Sequence, residues 1–203
     1  MIDDKYIDKK EDYLNLIKHK NLVMFGYMTE AKDKLIDKII DKLTNEGYVV
    51  QKISLRKSLY LTENNLNFLH MSMIDIYKAL QNYQDEMTQR LVNSENFIEK
   101  VLIIDDYDIL INNIEYENSI KQCVESLVKS SKKTKLYLII ITTNKESLKS
   151  TELYDSLEKI VIGPYYNFDS YSITFGQFLI SCDGKYKTFT DNDLDLHYQI
   201  TDD

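Results

Sequence analysis

The chain has 203 residues, of which 43% are hydrophobic and 29% are charged. These values argue against a disordered chain and predict a single globular domain over residues 1–203. The formal net charge of −8 argues against a protein that coats nucleic acid by itself, because binding of phosphates needs local positive charge. The net charge does not exclude a subunit that contributes one basic loop to a larger binding surface.

The cysteines and the apolar runs restrict the compartment and the kinds of site. Cys123 and Cys182 are far apart and form no CxxC pattern, which indicates a reducing compartment and no zinc site. The longest apolar run, over residues 136–141, is much shorter than the roughly 20 residues of a membrane-spanning helix. We therefore expect a cytoplasmic protein, or one that is also nuclear, without a membrane partner.

Hydrophobic periodicity predicts helices and strands that alternate through most of the chain. In chain order these are a helix over 6–19, a strand over 22–25, a helix over 31–45, a strand over 48–55, a helix over 72–92, a strand over 101–105, a helix over 119–130, a strand over 136–142, a helix over 147–157 and a strand over 159–162. Gly47 is expected to end the second helix with a left-handed cap.

The last part of the chain has a different pattern. Strands are predicted over 172–181 and 194–200, joined by residues 182–185 and a polar loop, with no helix between them. Strands without crossover helices pair antiparallel, so we expect them at the edge of the sheet. The whole order predicts a three-layer α/β fold with a mostly parallel sheet. Terminal strands in place of a helical lid favour the RecA-like branch of P-loop NTPase-type folds.

The central predicted strand ends in two carboxylates. Four aliphatic residues run into Asp105 and Asp106, which is the form of a Walker-B element. One carboxylate would then hold Mg²⁺ and the other would orient a nucleophile. The alternative is structural, because carboxylates often end a buried strand, and we favour it in view of the loop described next.

A degenerate P-loop follows the first predicted strand. In the register G-x-x-x-x-G-K-[ST], Gly26 and Lys32 fit, but Ala31 replaces the second glycine and Asp33 replaces the hydroxyl residue. Glu30 and Asp33 would repel a triphosphate, since like charges about 4 Å apart cost about 4 kcal/mol at an effective dielectric of 20. Lys32 could offset only one of them.

These residues are therefore interpreted as a vestigial nucleotide site formed by Gly26, Lys32, Asp105 and Asp106. The sequence predicts a protein that is not an enzyme, with no catalytic residue, no cofactor and no resident metal. Its function would lie in assembly and binding. An ATPase with an atypical P-loop is the alternative.

Polar residues follow the strand predicted over 136–142. The run Thr142-Thr143-Asn144 resembles the polar sensor of such ATPases, and a polar strand end explains it equally well. Lys145 and Lys149 lie just beyond. In RecA-like rings this region faces the central pore where polynucleotides run, so these lysines are the candidates for nucleic-acid binding. A solvated helix start is the simpler alternative.

Short motifs in the second half carry a family resemblance. Residues 175–181 read Phe-Gly-Gln-Phe-Leu-Ile-Ser, and residues 196–202 read Leu-His-Tyr-Gln-Ile-Thr-Asp. They are similar to the G-x-L-x-I strand and the Y-x-I-x-D strand of Elongator complex protein 6. Residues 101–110 are similar to the V-L-L-V-D-D stretch of that family. The first half of the chain matches only in its fold pattern and in lacking a full P-loop.

The resemblance implies a non-catalytic RecA-like subunit of a hetero-hexameric ring built with two related subunits. Such a ring binds tRNA and supports the catalytic Elongator subcomplex, which modifies wobble uridine. Lys145 and Lys149 would then be candidates for tRNA binding. A degenerate recombinase paralogue that assists DNA recombination is an alternative with the same fold and a different polynucleotide.

Overall fold

The structure is a computed structural model that describes residues 18–25, 29–55, 68–70, 72–93, 96–144, 146–149, 153–167, 172–182 and 185–190. Most of the helix predicted over 6–19 and the whole strand predicted over 194–200 lie outside these ranges. Residues 18–20 form a turn and bend rather than the end of a helix.

The described elements alternate between strand and helix as far as β6. The strands are β1 (Leu22–Phe25), β2 (Val49–Ser54), β3 (Phe68–His70), β4 (Lys100–Ile104), β5 (Leu136–Thr142), β6 (Glu158–Asn167), β7 (Ser172–Cys182) and β8 (Lys185–Thr190). The helices are α1 (Thr29–Asn45), α2 (Met73–Val92), α3 (Tyr107–Ile111), α4 (Glu117–Thr134), α5 (Glu146–Lys149) and α6 (Leu153–Ser156).

The strands form one sheet in the order β3-β2-β4-β5-β1-β6-β7-β8. The pairs from β3 to β6 are parallel, and β7 and β8 pair antiparallel beyond them. This confirms the predicted α/β fold with a mostly parallel sheet and antiparallel edge strands. The chain leaves β1 towards the β3 side of the sheet and leaves β5 towards the β8 side. The neighbouring ends of β1 and β5 are therefore the point where the strand order reverses.

Helices cover both faces of the sheet. On one face, Leu35 and Ile39 of α1 pack against a core that includes Leu22 and Val101. On the other face, α2 and α4 pack against the alternate residues of the same strands. All seven residues of β5 are buried, as expected for a strand with both faces covered. Within the described ranges, no helix has the length and apolar character needed to cross a membrane.

Several elements differ from the prediction. The helix predicted over 147–157 is two short helices, α5 and α6. The strand predicted to end before Gly163 continues to Asn167, with a shift of register between Ile162 and Pro164. A proline has no N–H for the ladder, and a bulge is one of the few places where a strand accepts it.

Two strands and one helix were not predicted. β3 has three residues, too few for an alternating pattern to show. β8 lies in what was expected to be a polar loop, because its alternation places charged and hydroxyl residues beside aromatic ones. α3 is a single short turn of helix directly after Asp106.

Candidate nucleotide site

The carboxyl ends of β1 and β4 and the start of α1 lie at the same edge of the sheet. Lys32 is in the first turn of α1, and Asp105 directly follows β4. Ligands of open α/β sheets bind at this edge, beside the point where the strand order reverses. The start of α1, a helix of 17 residues, also favours anions there, because its first N–H groups have no partner within the helix.

Two lysines hold the carboxylate of Asp105. The Nζ of Lys32 lies 3.4 Å from Oδ1, and the Nζ of Lys52 lies 3.1 Å from Oδ2. All three residues are buried, and buried charges persist when they are paired in this way. The backbone fixes Asp105 further, since its N–H donates to the carbonyl of Ile53 at 3.0 Å. The N–H of Asp106 donates to Oδ1 of Asp105 at 3.0 Å.

Lys52 was not identified from the sequence. Val50, Lys52 and Ser54 are alternate residues of β2 and all three are buried, so the lysine occupies an inward position. In the parallel register, Lys52 lies opposite Ile103, two residues before Asp105. The signal that could have revealed it is a lysine at an apolar position of a strand whose neighbour ends in carboxylates.

An acidic group on α1 lies within electrostatic range of the same lysine. Burial raises the pKa of Asp37 to about 6, Lys52 acts in the opposite direction, and Asp33 and Asp41 raise the pKa further. Asp33, one of the two acidic residues in the predicted charge balance, thus acts on the same group. The charge balance drawn from the sequence omitted Lys52, which supplies a second positive charge at Asp105 besides Lys32.

Replacing Asp37 with asparagine is expected to stabilise the protein at neutral pH. The folded-state pKa is above the ordinary value of 3.8, so the folded state binds this proton more tightly than the unfolded state and loses stability as pH rises towards about 6. Because Asp37 is partly exposed, solvent screening reduces the gain to about 1 kcal/mol above that pH, with no gain below about pH 4.

Urea unfolding at a series of pH values measures this difference. Asp85→Asn, an exposed change on α2, is the matched control and should stay within about 0.5 kcal/mol of wild type. An Asp37→Asn variant that is less stable than wild type at neutral pH would show that the carboxylate is a net favourable partner of Lys52.

Asp106 has an unusual backbone conformation. It is buried, it immediately precedes α3, and its φ of 56° and ψ of 39° lie in the left-handed region. Non-glycine residues adopt this region uncommonly, and when they do they often belong to functional sites. The turn places two consecutive carboxylates, Asp105 and Asp106, at the edge where β4 ends.

The polar run after β5 is held by Asp108. The hydroxyl of Thr142 donates to Oδ1 of Asp108 at 3.2 Å, and the hydroxyl of Thr143 donates to Oδ2 at 3.0 Å. The side chain of Asn144 accepts from the N–H of Glu146 at 2.9 Å, which starts α5. These contacts stabilise the turn between β5 and α5, so they favour the structural interpretation of the run.

The structure describes the side chains of three of the predicted site residues, and these lie together. Lys32, Asp105 and Asp106 meet at one edge of the sheet. Gly26 and Lys145 lie outside the described residues. Only the backbone of Lys149 is described, at the end of α5. The predicted nucleic-acid role of the two lysines therefore stays a prediction.

Comparison with known proteins identifies the fold. No family model and no curated protein matches the chain. Among solved structures, the conjugation coupling protein TcpA of pCW3, determined with ATPγS, is 14% identical with a TM-score of 0.65, over 86% of this chain and 60% of TcpA. The cytoplasmic domain of EssC is 12% identical with a TM-score of 0.55, over 84% of this chain and 39% of EssC. The chain thus spans less than two thirds of both proteins.

A viral protein is similar over nearly its whole length. The genome packaging NTPase B204 of Sulfolobus turreted icosahedral virus 2, determined with ATPγS, is 15% identical with a TM-score of 0.56, over 84% of this chain and 96% of B204. The prediction that the chain is not an enzyme is contradicted by these comparisons, because B204 is named an NTPase and both TcpA and B204 were determined with a nucleotide analogue. At such low identity the comparisons show the fold, and the chain has the RecA-like P-loop NTPase fold.

Proposed function

We propose that this domain binds and hydrolyses a nucleoside triphosphate at the carboxyl edge of its sheet. The observation that carries the proposal is the contact between Lys32 and Asp105, 3.4 Å between Nζ and Oδ1. A lysine at the P-loop position and a carboxylate at the Walker-B position are the side chains with which P-loop NTPases hold phosphates and their metal. Here they meet although two other P-loop positions are substituted.

Each residue has a distinct part in this proposal. Lys32 donates hydrogen bonds to phosphate oxygens, and the N-terminal N–H groups of α1 add further donors. Asp106 orients the attacking water and accepts its proton as the general base. A magnesium ion would neutralise phosphate charge. Asp105 would help to hold it through the oxygen that Lys32 leaves when it binds phosphate, because carboxylate oxygens are the ligands that the ion prefers. Asp33 supplies a carboxylate oxygen where a P-loop has a hydroxyl.

Replacing Lys32 with alanine is expected to weaken nucleotide binding at least ~10-fold, because a charge-assisted hydrogen bond to phosphate is lost. Titration of a fluorescent ATP analogue measures the dissociation constant, and phosphate release measures hydrolysis. Lys38→Ala is the matched control, since Lys38 is a partly exposed lysine of the same helix. It should bind nucleotide like wild type.

Thermal unfolding of both variants separates lost binding from lost folding, because Lys32 is buried against Asp105. A folded Lys32→Ala protein that binds and hydrolyses ATP like wild type would refute the proposed site. Absence of nucleotide binding by the wild-type protein would refute the proposed function.

The polymer on which such an ATPase acts is a second question. We propose DNA as the first candidate, because TcpA is named a conjugation coupling protein and B204 a genome packaging NTPase. A tRNA-binding ring with two related subunits and the catalytic Elongator subcomplex is the second candidate. It is supported by the sequence resemblance of residues 175–181, which form part of β7.

Stimulation of ATP hydrolysis distinguishes the two polymers. Double-stranded DNA should raise the rate if the first candidate is right, and tRNA should raise it if the second is right. Purification from the native cell adds an independent readout, the identity of the copurifying proteins. DNA-transfer proteins would support the first candidate, and tRNA-modifying enzymes would support the second. Lys145→Glu combined with Lys149→Glu should reduce the response to either polymer.

A further inference from the structure

Lys52 lies at the proposed nucleotide site without belonging to any P-loop motif. It comes from the middle of β2, it is buried, and its Nζ is 3.1 Å from Oδ2 of Asp105. We propose that Lys52 is a positioning residue, which holds Asp105 so that Lys32 can move to a phosphate group. This inference rests on the proposed function and assigns a role within the same site.

The need for such a residue follows from the burial of Asp105. In the structure, the two oxygens of its carboxylate are divided between two ammonium groups, Oδ1 facing Lys32 and Oδ2 facing Lys52. When Lys32 turns to a phosphate, Oδ1 loses this partner. A buried carboxylate that loses its counter-charge is strongly unfavourable. Lys52 limits this effect, because Oδ2 keeps its ion pair and the N–H of Asp106 still donates to Oδ1.

The geometry suits a cation that stays in place. β2 pairs with β4 over five residues, and Lys52 lies opposite Ile103, so the base of the side chain is fixed within the sheet. Lys32, by contrast, is in the first turn of α1, and helix N-termini are where phosphates bind. The lysine of the strand therefore holds the carboxylate, and the lysine of the helix is the one that can move.

The charges around Lys52 agree with this division. Asp105 contacts it from β4, and Asp37 interacts with it electrostatically from α1. Lys52 thus contacts one acidic group and interacts electrostatically with a second. Its ammonium group adds positive charge at the nucleotide edge. Because that group is paired with a carboxylate, Lys52 does not replace Lys32 as the phosphate ligand.

A double-mutant cycle between Lys52 and Asp105 tests the inference through nucleotide binding. Lys52→Met removes the ammonium group, so among the described residues Lys32 is then the only lysine paired with Asp105. The ion pair keeps Lys32 at Asp105 and away from phosphate. We expect ATP affinity to fall ~10-fold, and we expect Lys52→Met to have less than ~3-fold effect when Asp105→Asn is also present. Lys52→Arg, which keeps the charge, should bind ATP within ~3-fold of wild type.

Folding of the variants needs its own control, because Lys52→Met leaves a buried carboxylate with fewer partners. Lys52→Gln keeps a hydrogen-bond donor on a side chain one atom shorter, and it should also lose ~10-fold in affinity, since the charge is what holds Asp105. Affinities are compared after thermal unfolding has established the folded fraction. A structural role alone would lower the stability of the variants and leave the ATP affinity of the folded protein unchanged.

The outcomes separate this inference from the proposed function. If Lys32→Ala loses binding and a folded Lys52→Met or Lys52→Gln protein binds ATP like wild type, the role of Lys52 is refuted and the site stands. Equal losses with and without Asp105→Asn would also refute it, because Lys52 would then act independently of Asp105. Absence of ATP binding by the wild-type protein would refute both.

Discussion

Replacing Arg90 with methionine is expected to lower the free energy of unfolding by about 3 kcal/mol, because it leaves two carbonyl groups and a carboxylate with fewer partners. The guanidinium is buried and donates to the carbonyl of Thr134 at 2.8 Å. It also donates to the carbonyl of Ile98 at 2.9 Å and to Glu86 at 2.7 Å. One side chain thereby ties α2 to the end of α4 and to the segment that enters β4.

Methionine is the informative substitution because it retains much of the length and volume of the side chain and removes every donor. Urea unfolding measures the loss. Lys121→Met is the matched control, since the Lys121–Glu117 pair is partly exposed and an exposed pair contributes at most about 1 kcal/mol. A loss for Arg90→Met no larger than the loss for the control would show that water replaces the guanidinium at both carbonyl groups.

The core of the fold could be predicted from the sequence because parallel strands buried on both faces leave a strong signal. β5 is a run of apolar residues, and α1 has apolar residues at helical spacing. The short elements left no such signal. β3 has three residues, and it is a strand because it pairs with β2 in register, a contact that no local pattern encodes.

The site was predictable only as far as its motifs reach. Lys32 and Asp105 stood out because each follows a strand at a recognisable spacing. Lys52 did not, because its role depends on the register of β2 beside β4, which brings together residues distant in sequence. The prediction that the chain is not an enzyme rested on two substituted P-loop positions and on the charge along one loop. A buried lysine from another strand changes the charge at the site.

The most demanding test of catalysis concerns Asp106. We expect Asp106→Asn to lower kcat at least ~100-fold, because an amide cannot accept a proton from the attacking water and general-base groups contribute about 10²–10⁴-fold. The dissociation constant for ATP should change less than ~3-fold, because Asp106 orients water and Lys32 binds phosphate. Phosphate release and titration of a fluorescent ATP analogue measure the two quantities separately.

Asparagine keeps the experiment free of a folding defect. Asp106 has a φ of 56°, and asparagine is one of the few residues that enter this left-handed region readily. Asp85→Asn, an exposed change on α2, is the matched control and should leave both quantities at wild-type values. If Asp106→Asn hydrolyses ATP at the wild-type rate, Asp106 serves only to turn the chain from β4 into α3. The attacking water would then have to be oriented by another group at the same edge.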